Sequence, residues 1–440
     1  MKKNIYKKGL VVGIIIIFFG LAVMPAIETS TLNDYPLPPP TPTEMILEQS
    51  IFRRSSIRDF TDELVTDEDL STVLWAAYGY INDENRTVHG IDGIHAAHIY
   101  VLKEDAVYKY HALNHSLIFY KTGDYRDIGQ YDAPIQIGLV WDKNKSSQEN
   151  YVAAEIGQIG QNIQLMANAL DLGTVVTVGW PLAEIGLPSN EVAKIIMPLG
   201  HPKYPYDFIY LPLVLSFLPR IKYSNTSLTT AIEERNEAIY WEDNLTKQEQ
   251  TQAIWSSYGF SYLFDNSESS LDYYIRRHRT VPSAHGYYPL QMYAVTETGI
   301  YRCVPNIYNP LYGFITLIYE IFPKFPIPVL AFMLKIRKGD HREEMAQCSS
   351  QPSIASAPLL IISVLNLKKT KPIGCDDFSG EEFRWLWYFE AGASAYNVLL
   401  EATAWNLSAN IVPPTNIESI RSLLKLNDNF IPLLIMPVGK

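Results

Sequence analysis

Apolar and polar positions change period in a fixed order along this chain, and the order occurs twice. After the capping-box sequence Thr66-Asp67-Glu68-Asp69, Leu70, Val73, Leu74 and Ala77 recur at helical spacing and run into Trp75-Ala76-Ala77-Tyr78-Gly79. That pattern predicts an amphipathic helix with a glycine stop. Thr246-Lys247-Gln248-Glu249 opens a second helix of this kind, which ends at Trp255-Ser256-Ser257-Tyr258-Gly259, an offset of 180 residues for both Trp and Gly. Strand-like runs follow: His98-Ile99-Tyr100-Val101 after Arg86-Thr87-Val88, and Gln291-Met292-Tyr293-Ala294 after Arg279-Thr280-Val281, at an offset of 193. Ala133-Pro134 and Ala357-Pro358 each precede a β-rich run. A long helix with Glu155, Gly157 and Asn162 answers one with Glu390, Gly392 and Asn397, and Met197-Pro198-Leu199-Gly200 answers Met436-Pro437-Val438-Gly439. Landmarks that keep their order while the offset grows mark a diverged duplication. The pattern therefore predicts two α+β copies, about 46–205 and 228–440, joined by an apolar connector over 206–227.

The flanking segments read differently. Lys2, Lys3, Lys7 and Lys8 precede an unbroken apolar run from Gly9 to Met24, the pattern of a signal anchor or a cleaved secretory signal over 1–27. The lysines set the N-terminus in the cytoplasm, so the expectation is a single N-terminal span with the globular part outside, or secretion after cleavage. The Pro-rich stretch within 28–45 reads as a stiff spacer. Copy two carries an insertion, because Tyr108 to Ala133 spans 25 residues and Tyr301 to Ala357 spans 56. Its apolar segments, Phe314 to Tyr319 and Ile327 to Phe332, are too short to cross a bilayer. Covering structure and a membrane-facing or substrate-lid element both stay open for this region at about 305–340.

Composition narrows the function. Apolar residues make up 47% of the 440 and charged residues 19%, which excludes a disordered chain. With 36 Lys+Arg against 47 Asp+Glu, a net −11, no basic face beyond the N-terminus is present for nucleic acid. Cys303, Cys348 and Cys375 have no metal-ligand spacing, and one bridge or three free thiols both fit. Six glycosylation sequons begin at Asn85, Asn114, Asn144, Asn225, Asn244 and Asn406, compatible with an exported face.

Two stretches carry candidate chemistry. In Arg54-Ser55-Ser56-Ile57-Arg58 an extended backbone aims Arg54, Ser56 and Arg58 the same way, two guanidiniums and a hydroxyl suited to an anion. In copy two, Pro282-Ser283-Ala284-His285-Gly286-Tyr287-Tyr288-Pro289-Leu290 precedes a strand. Together the two resemble the nitroreductase superfamily, and the Pro-Ser-Ala…Tyr-Pro-Leu run is most similar to its branch of azoline-oxidising (SagB-type) dehydrogenases.

The resemblance implies an α+β sandwich that pairs extensively, with FMN at the interface. It also implies ping-pong transfer through one pocket to a small-molecule or peptide substrate. One partner offers the Arg-x-Ser-x-Arg segment and the other the Pro-Ser segment. Carried onto this chain, copy one keeps Arg54, Ser56 and Arg58, where copy two is assigned Glu234, Asn236 and Ala238. Copy two keeps Pro282, Ser283 and Ala284, where copy one has His89, Gly90 and Ile91. Val178-Gly179, set near the flavin ring by the resemblance, becomes Pro413-Pro414, which lacks the N–H donor. Lys203 is a further phosphate contact or a surface lysine. His285, Tyr287 and Tyr288 are candidates for the substrate face or proton donor, with a structural histidine the alternative for His285. The losses are complementary, so the expectation is one intact flavin site per chain in an intrachain pseudo-dimer. A membrane-tethered binding protein without flavin is the alternative of a different class.

Overall fold

The computed structural model describes residues 34–204, 208–209, 218–261, 264–265, 278–304, 331–372 and 374–440. Copy one contains β1 (Asp34–Pro36), α1 (Leu47–Arg53), α2 (Asp67–Tyr78), β2 (Ala97–Leu102), β3 (Ala106–His111), β4 (Ser116–Thr122) and β5 (Ile135–Asp142). It continues with α3 (Glu149–Ala169), β6 (Gly173–Thr174), β7 (Thr177–Val178) and β8 (Glu191–Gly200). A short pair, β9 (Phe208–Ile209) with β10 (Phe264–Asp265), lies outside the main sheets. Copy two has α4 (Leu228–Glu233), α5 (Lys247–Tyr258), β11 (Leu290–Thr296), β12 (Gly299–Val304), β13 (Phe332–Lys338) and α6 (Arg342–Ala346). It ends with β14 (Leu359–Asn366), α7 (Arg384–Ala404), β15 (Ser408–Ala409), α8 (Ile417–Leu424) and β16 (Phe430–Gly439).

The duplication is visible in the sheets. Copy one orders its strands β1-β4-β3-β2-β5-β8-β6, and copy two orders them β13-β12-β11-β14-β16-β15, all antiparallel. Local details repeat as well. Gly79 N–H bonds the Trp75 carbonyl and Gly259 N–H that of Trp255, both at 2.7 Å. Arg86 and Arg279 each donate to the carbonyl of the helix-ending tyrosine, at 3.0 and 2.9 Å. Of this repeated helix pair, α5 has the full capping box. At α2 Thr66 accepts from the Asp69 N–H, but Asp69 is one methylene shorter than Glu249 and the return bond to the Thr66 backbone is not made.

Two long helices join the copies. α3 crosses α7 so closely that a Cβ at Gly157 would collide with the Phe389 carbonyl, and one at Gly392 with the Ala154 carbonyl. Around the crossing, Gln161 bonds Asn397 Oδ1 at 2.9 Å and Asn162 bonds the Tyr396 hydroxyl at 3.0 Å. One continuous hydrophobic core runs through both copies across this contact. The pairing expected from the sequence is thus built inside one chain.

Two expectations change and one open alternative is decided. The stretch from Asp34 is no free spacer: β1 pairs with β4 at the sheet edge, Leu37 is buried, and Thr43 N–H bonds Thr229 of copy two at 2.9 Å. Proline is tolerated there because an edge strand leaves one side of its backbone unpaired. The expected membrane-anchored single span, with the rest of the chain outside, is corrected. No helix among the described residues is long and apolar enough to cross a membrane, and the run Gly9 to Met24 lies outside those residues. Finally, the cysteines are three free thiols, with Cys303 pushed up to about 12 by burial. Most of the 206–227 connector's apolar run and the insertion's apolar segments also fall outside the described residues. β13 closes the inserted connection by pairing with β12.

Candidate active site at the interface of the copies

The entry into each copy fixes the register of the site. Leu47 N–H bonds the Thr226 carbonyl at 3.1 Å and Leu228 N–H bonds the Met45 carbonyl at 2.9 Å. These reciprocal bonds equate Leu47 with Leu228, an offset of 181, so Arg54 is equivalent to Arg235. The sequence assignment of Glu234, Asn236 and Ala238 is therefore one residue out. The positions equivalent to Arg54, Ser56 and Arg58 are Arg235, Glu237 and Ile239. The cause is a single residue fewer from Leu228 to Lys247 than from Leu47 to Asp67, which the Trp and Gly landmarks do not reveal.

Arg54 is 2% exposed and reaches into copy two. Its Nη2 donates to the Arg279 carbonyl at 2.9 Å and its Nη1 to Gln164 Oε1 at 3.4 Å, while Nε is buried with no partner among the described residues. The Nε of Arg279 is orphaned in the same way. From Arg54 the chain runs along β6, with Ile57 N–H bonded to the Thr174 carbonyl at 3.0 Å. Ser56 is half-buried and Arg58 exposed, its Nη1 on the Ser56 carbonyl at 3.0 Å. Lys203 is brought beside this end by its N–H on the Asp59 carbonyl at 3.0 Å. Neither Arg58 nor Lys203 has a carboxylate partner among the described residues, so the end keeps an un-neutralised positive charge.

Gly179 is needed for close packing on β8 and has no free N–H to offer a ligand. Its N–H is committed to the Lys194 carbonyl at 2.9 Å, and a Cβ there would collide with the Ile195 backbone. Trp180 follows at 62% exposure, an aromatic surface beside the site that no sequence pattern singled out.

Copy two supplies a loop. Pro282 is buried and Ala284 half-buried. Ser283 Oγ donates to Glu390 Oε2 at 2.6 Å and accepts the Tyr288 N–H at 2.9 Å. His285 and Tyr288 hold φ of 52° and 47°, left-handed conformations that turn the loop sharply. Of the three catalytic candidates, Tyr288 alone packs on the Arg54 side. Its ring lies 5.1 Å from the Arg279 guanidinium, and burial raises its phenol while the charges of Arg54 and Arg279 partly offset this. His285 is exposed and stacks on Phe378 at 4.9 Å, and Tyr287 donates to the Asp376 carbonyl at 3.1 Å.

The opposite interface is closed by its own side chains. Arg235 donates to the Thr87 and Arg86 carbonyls at 2.6 and 3.1 Å, and its Nε goes to Glu237 Oε1 at 2.9 Å. Glu237 also sits 2.7 Å from His89, which stands where Pro282 stands in the other copy. Burial would raise the Glu237 carboxyl, but contact with His89 and the charges of His89 and Arg235 outweigh it and hold the group at about 2. An anion there would meet a carboxylate, with Ile239 in place of the second guanidinium.

Fold and contacts together define a paired α+β protein whose two halves meet through arginines that cross from one copy to the other. The Nitroreductase family model matches residues 51–201 and 242–440, and the chain belongs to the nitroreductase family, a class of FMN-dependent oxidoreductases. A protein named as a nitroreductase, from Methanocaldococcus jannaschii, is 28% identical over 181 residues, which is 36% of this chain and 91% of that one. A nitroreductase structure from Anabaena variabilis covers 96% of this chain and 98% of its own at TM-score 0.61 and 14% identity, a likeness of fold over both copies. One from Desulfovibrio desulfuricans, crystallised in complex with FMN, covers 38% of this chain and 92% of its own at 24% identity and TM-score 0.27.

Proposed function

We propose that this oxidoreductase holds one FMN, at the interface where Arg54, Ser56, Arg58 and Lys203 of copy one face Pro282, Ser283 and Ala284 of copy two. The observation that carries the reading is the state of one nitrogen. Arg54 Nε is a buried donor without a partner, which costs free energy unless a ligand accepts from it, whereas the equivalent Nε of Arg235 is satisfied by Glu237. Arg54, Arg58 and Lys203 would take the phosphate and polar edge, and Tyr288 would close the copy-two side.

Bound there, FMN would supply the redox chemistry, accepting reducing equivalents from a donor and passing them to an acceptor in turn. The chain's part is to bind and orient, with Tyr288, the candidate that packs on the Arg54 side, as the group facing a substrate. Purified protein should be yellow with about one flavin per chain. A colourless protein that cannot be reconstituted with FMN would end this reading in favour of a flavin-free binding protein. Oxygen uptake with azoline-containing peptides, set against reduction of quinones and nitroaromatics, distinguishes the azoline-oxidising branch from a general reductase.

A further inference from the structure

Two residues before its crossing glycine each long helix buries a glutamate, Glu155 in α3 and Glu390 in α7, and these two have diverged in what they accept. Both take the hydroxyl of the helix-ending tyrosine, Tyr78 or Tyr258. Glu155 also accepts the N–H groups of Ala96 and Ala97 at 2.9 and 3.1 Å and contacts His95 Nδ1 at 3.0 Å. In copy two the position of Ala96 is Pro289, which has no N–H, that of His95 is Tyr288, and the Leu290 N–H turns to the Tyr258 hydroxyl at 3.4 Å. Ser283 fills the gap, so Glu390 is held by two hydroxyls.

The difference matters for a proton. A backbone N–H can only donate, so the pair on Glu155 fixes it as an acceptor. A hydroxyl can turn round and accept, so the partners of Glu390 tolerate either protonation state. Burial raises the Glu390 carboxyl, and bonds from Ser283 and Tyr258 with the charges of Arg279 and Lys369 offset part of that, leaving it at about 7. Tyr258 from α5, Arg279, Ser283 and Tyr288 from the loop before β11, and Lys369 are the charged and hydrogen-bonding groups that face it. The phenol of Tyr258 is pushed well above its ordinary value by burial and then by Glu390, and stays protonated.

We propose that Glu390 is a positioning residue that stores the proton delivered through the Ser283 hydroxyl to a reduced substrate in the interface site. The proposal rests on the FMN reading, since it gives Ser283 a reaction to serve. A substrate that gains a hydride needs one proton. It leaves Ser283 Oγ, the Glu390 proton follows to Ser283, and the carboxylate that remains takes a proton from water before the next turnover. No electrons move on either residue. When Glu390 is ionised the Ser283 hydrogen is held on the carboxylate, so delivery weakens as pH rises through about 7.

The test joins infrared titration of the purified protein with the pH profile of its turnover. Wild type should show a protonated-carboxyl band that disappears as pH rises through about 7, together with a fall in rate over the same range. Glu390→Gln should lose the band and give a flat profile at retained flavin content. Ser283→Ala should keep the band and lose the pH-dependent limb, which separates the relay from folding, and Glu155→Gln should keep both. A band unaffected by Glu390→Gln, or a limb that persists in it while flavin is bound, overturns the inference. Colourless wild-type protein overturns the interface-site reading instead, and the role of Ser283 with it.

Discussion

The two interfaces of this chain begin from the same arginine and end in opposite states. Arg54 and Arg235 both leave a short helix, cross to the other copy and grip its backbone through the loop that begins at Arg279 or Arg86. At Arg54 the third nitrogen is buried with no partner among the described residues. At Arg235 it is closed by Glu237, which in turn holds His89. In a dimer of identical subunits a substitution at such a position strikes both sites at once. Fusing the subunits removes that constraint, and one interface can become structural while the other keeps the chemistry.

The strongest way to break the comparison is to truncate both arginines separately. Arg54→Ala should cost FMN about 2–5 kcal/mol of affinity, the usual loss on removing one partner of a buried charged hydrogen bond. Arg235→Ala should leave flavin titration unchanged and lower only thermal stability. Equal loss of flavin in both variants would mean that the two sites are not distinct. A smaller effect tests the frame that both sites share: Gly392→Ala or Gly157→Ala forces a methyl into the opposing helix carbonyl and should destabilise by about 1–3 kcal/mol in denaturant unfolding. An unchanged midpoint would show that the helix crossing is looser than described.

The smallest effect concerns the closed interface. Glu237 is held at about 2, so its stabilising contribution is present above its unfolded value near 4.3 and is lost as pH falls through about 2. Its side chain is a third exposed, which screens the interaction and keeps the contribution modest. Glu237→Gln should flatten the acid limb of the melting-temperature profile slightly and leave flavin content alone. A steeper limb would contradict the pairing with His89.

Much of this was legible because repeated helices carry their own markers. Capping residues, terminal glycines and the Gly157 and Gly392 crossing positions repeat in sequence, and each corresponds to a local bond or a close approach. The register after α4 was not legible from those markers, since one deleted residue lies between them and the arginine. Leu47-x-x-x-Ile51-x-x-Arg54 and Leu228-x-x-x-Ile232-x-x-Arg235 do repeat, and that apolar spacing is the signal that would have corrected it. The docking of Asp34 to Glu44 was hidden for another reason: proline content describes stiffness and says nothing of which surface a segment covers. Glu390 was visible only as a repeat of Glu155, because what sets the two apart is which donors face them, and Pro289 removes one of those donors from about a hundred positions along the chain.

One measurement bears on all of this most directly, the ratio of bound FMN to protein after reconstitution with excess cofactor and removal of the unbound fraction. The account predicts one equivalent per chain in the wild type and in Arg235→Ala, and none in Arg54→Ala. Two equivalents in the wild type, or one retained in Arg54→Ala, would contradict it.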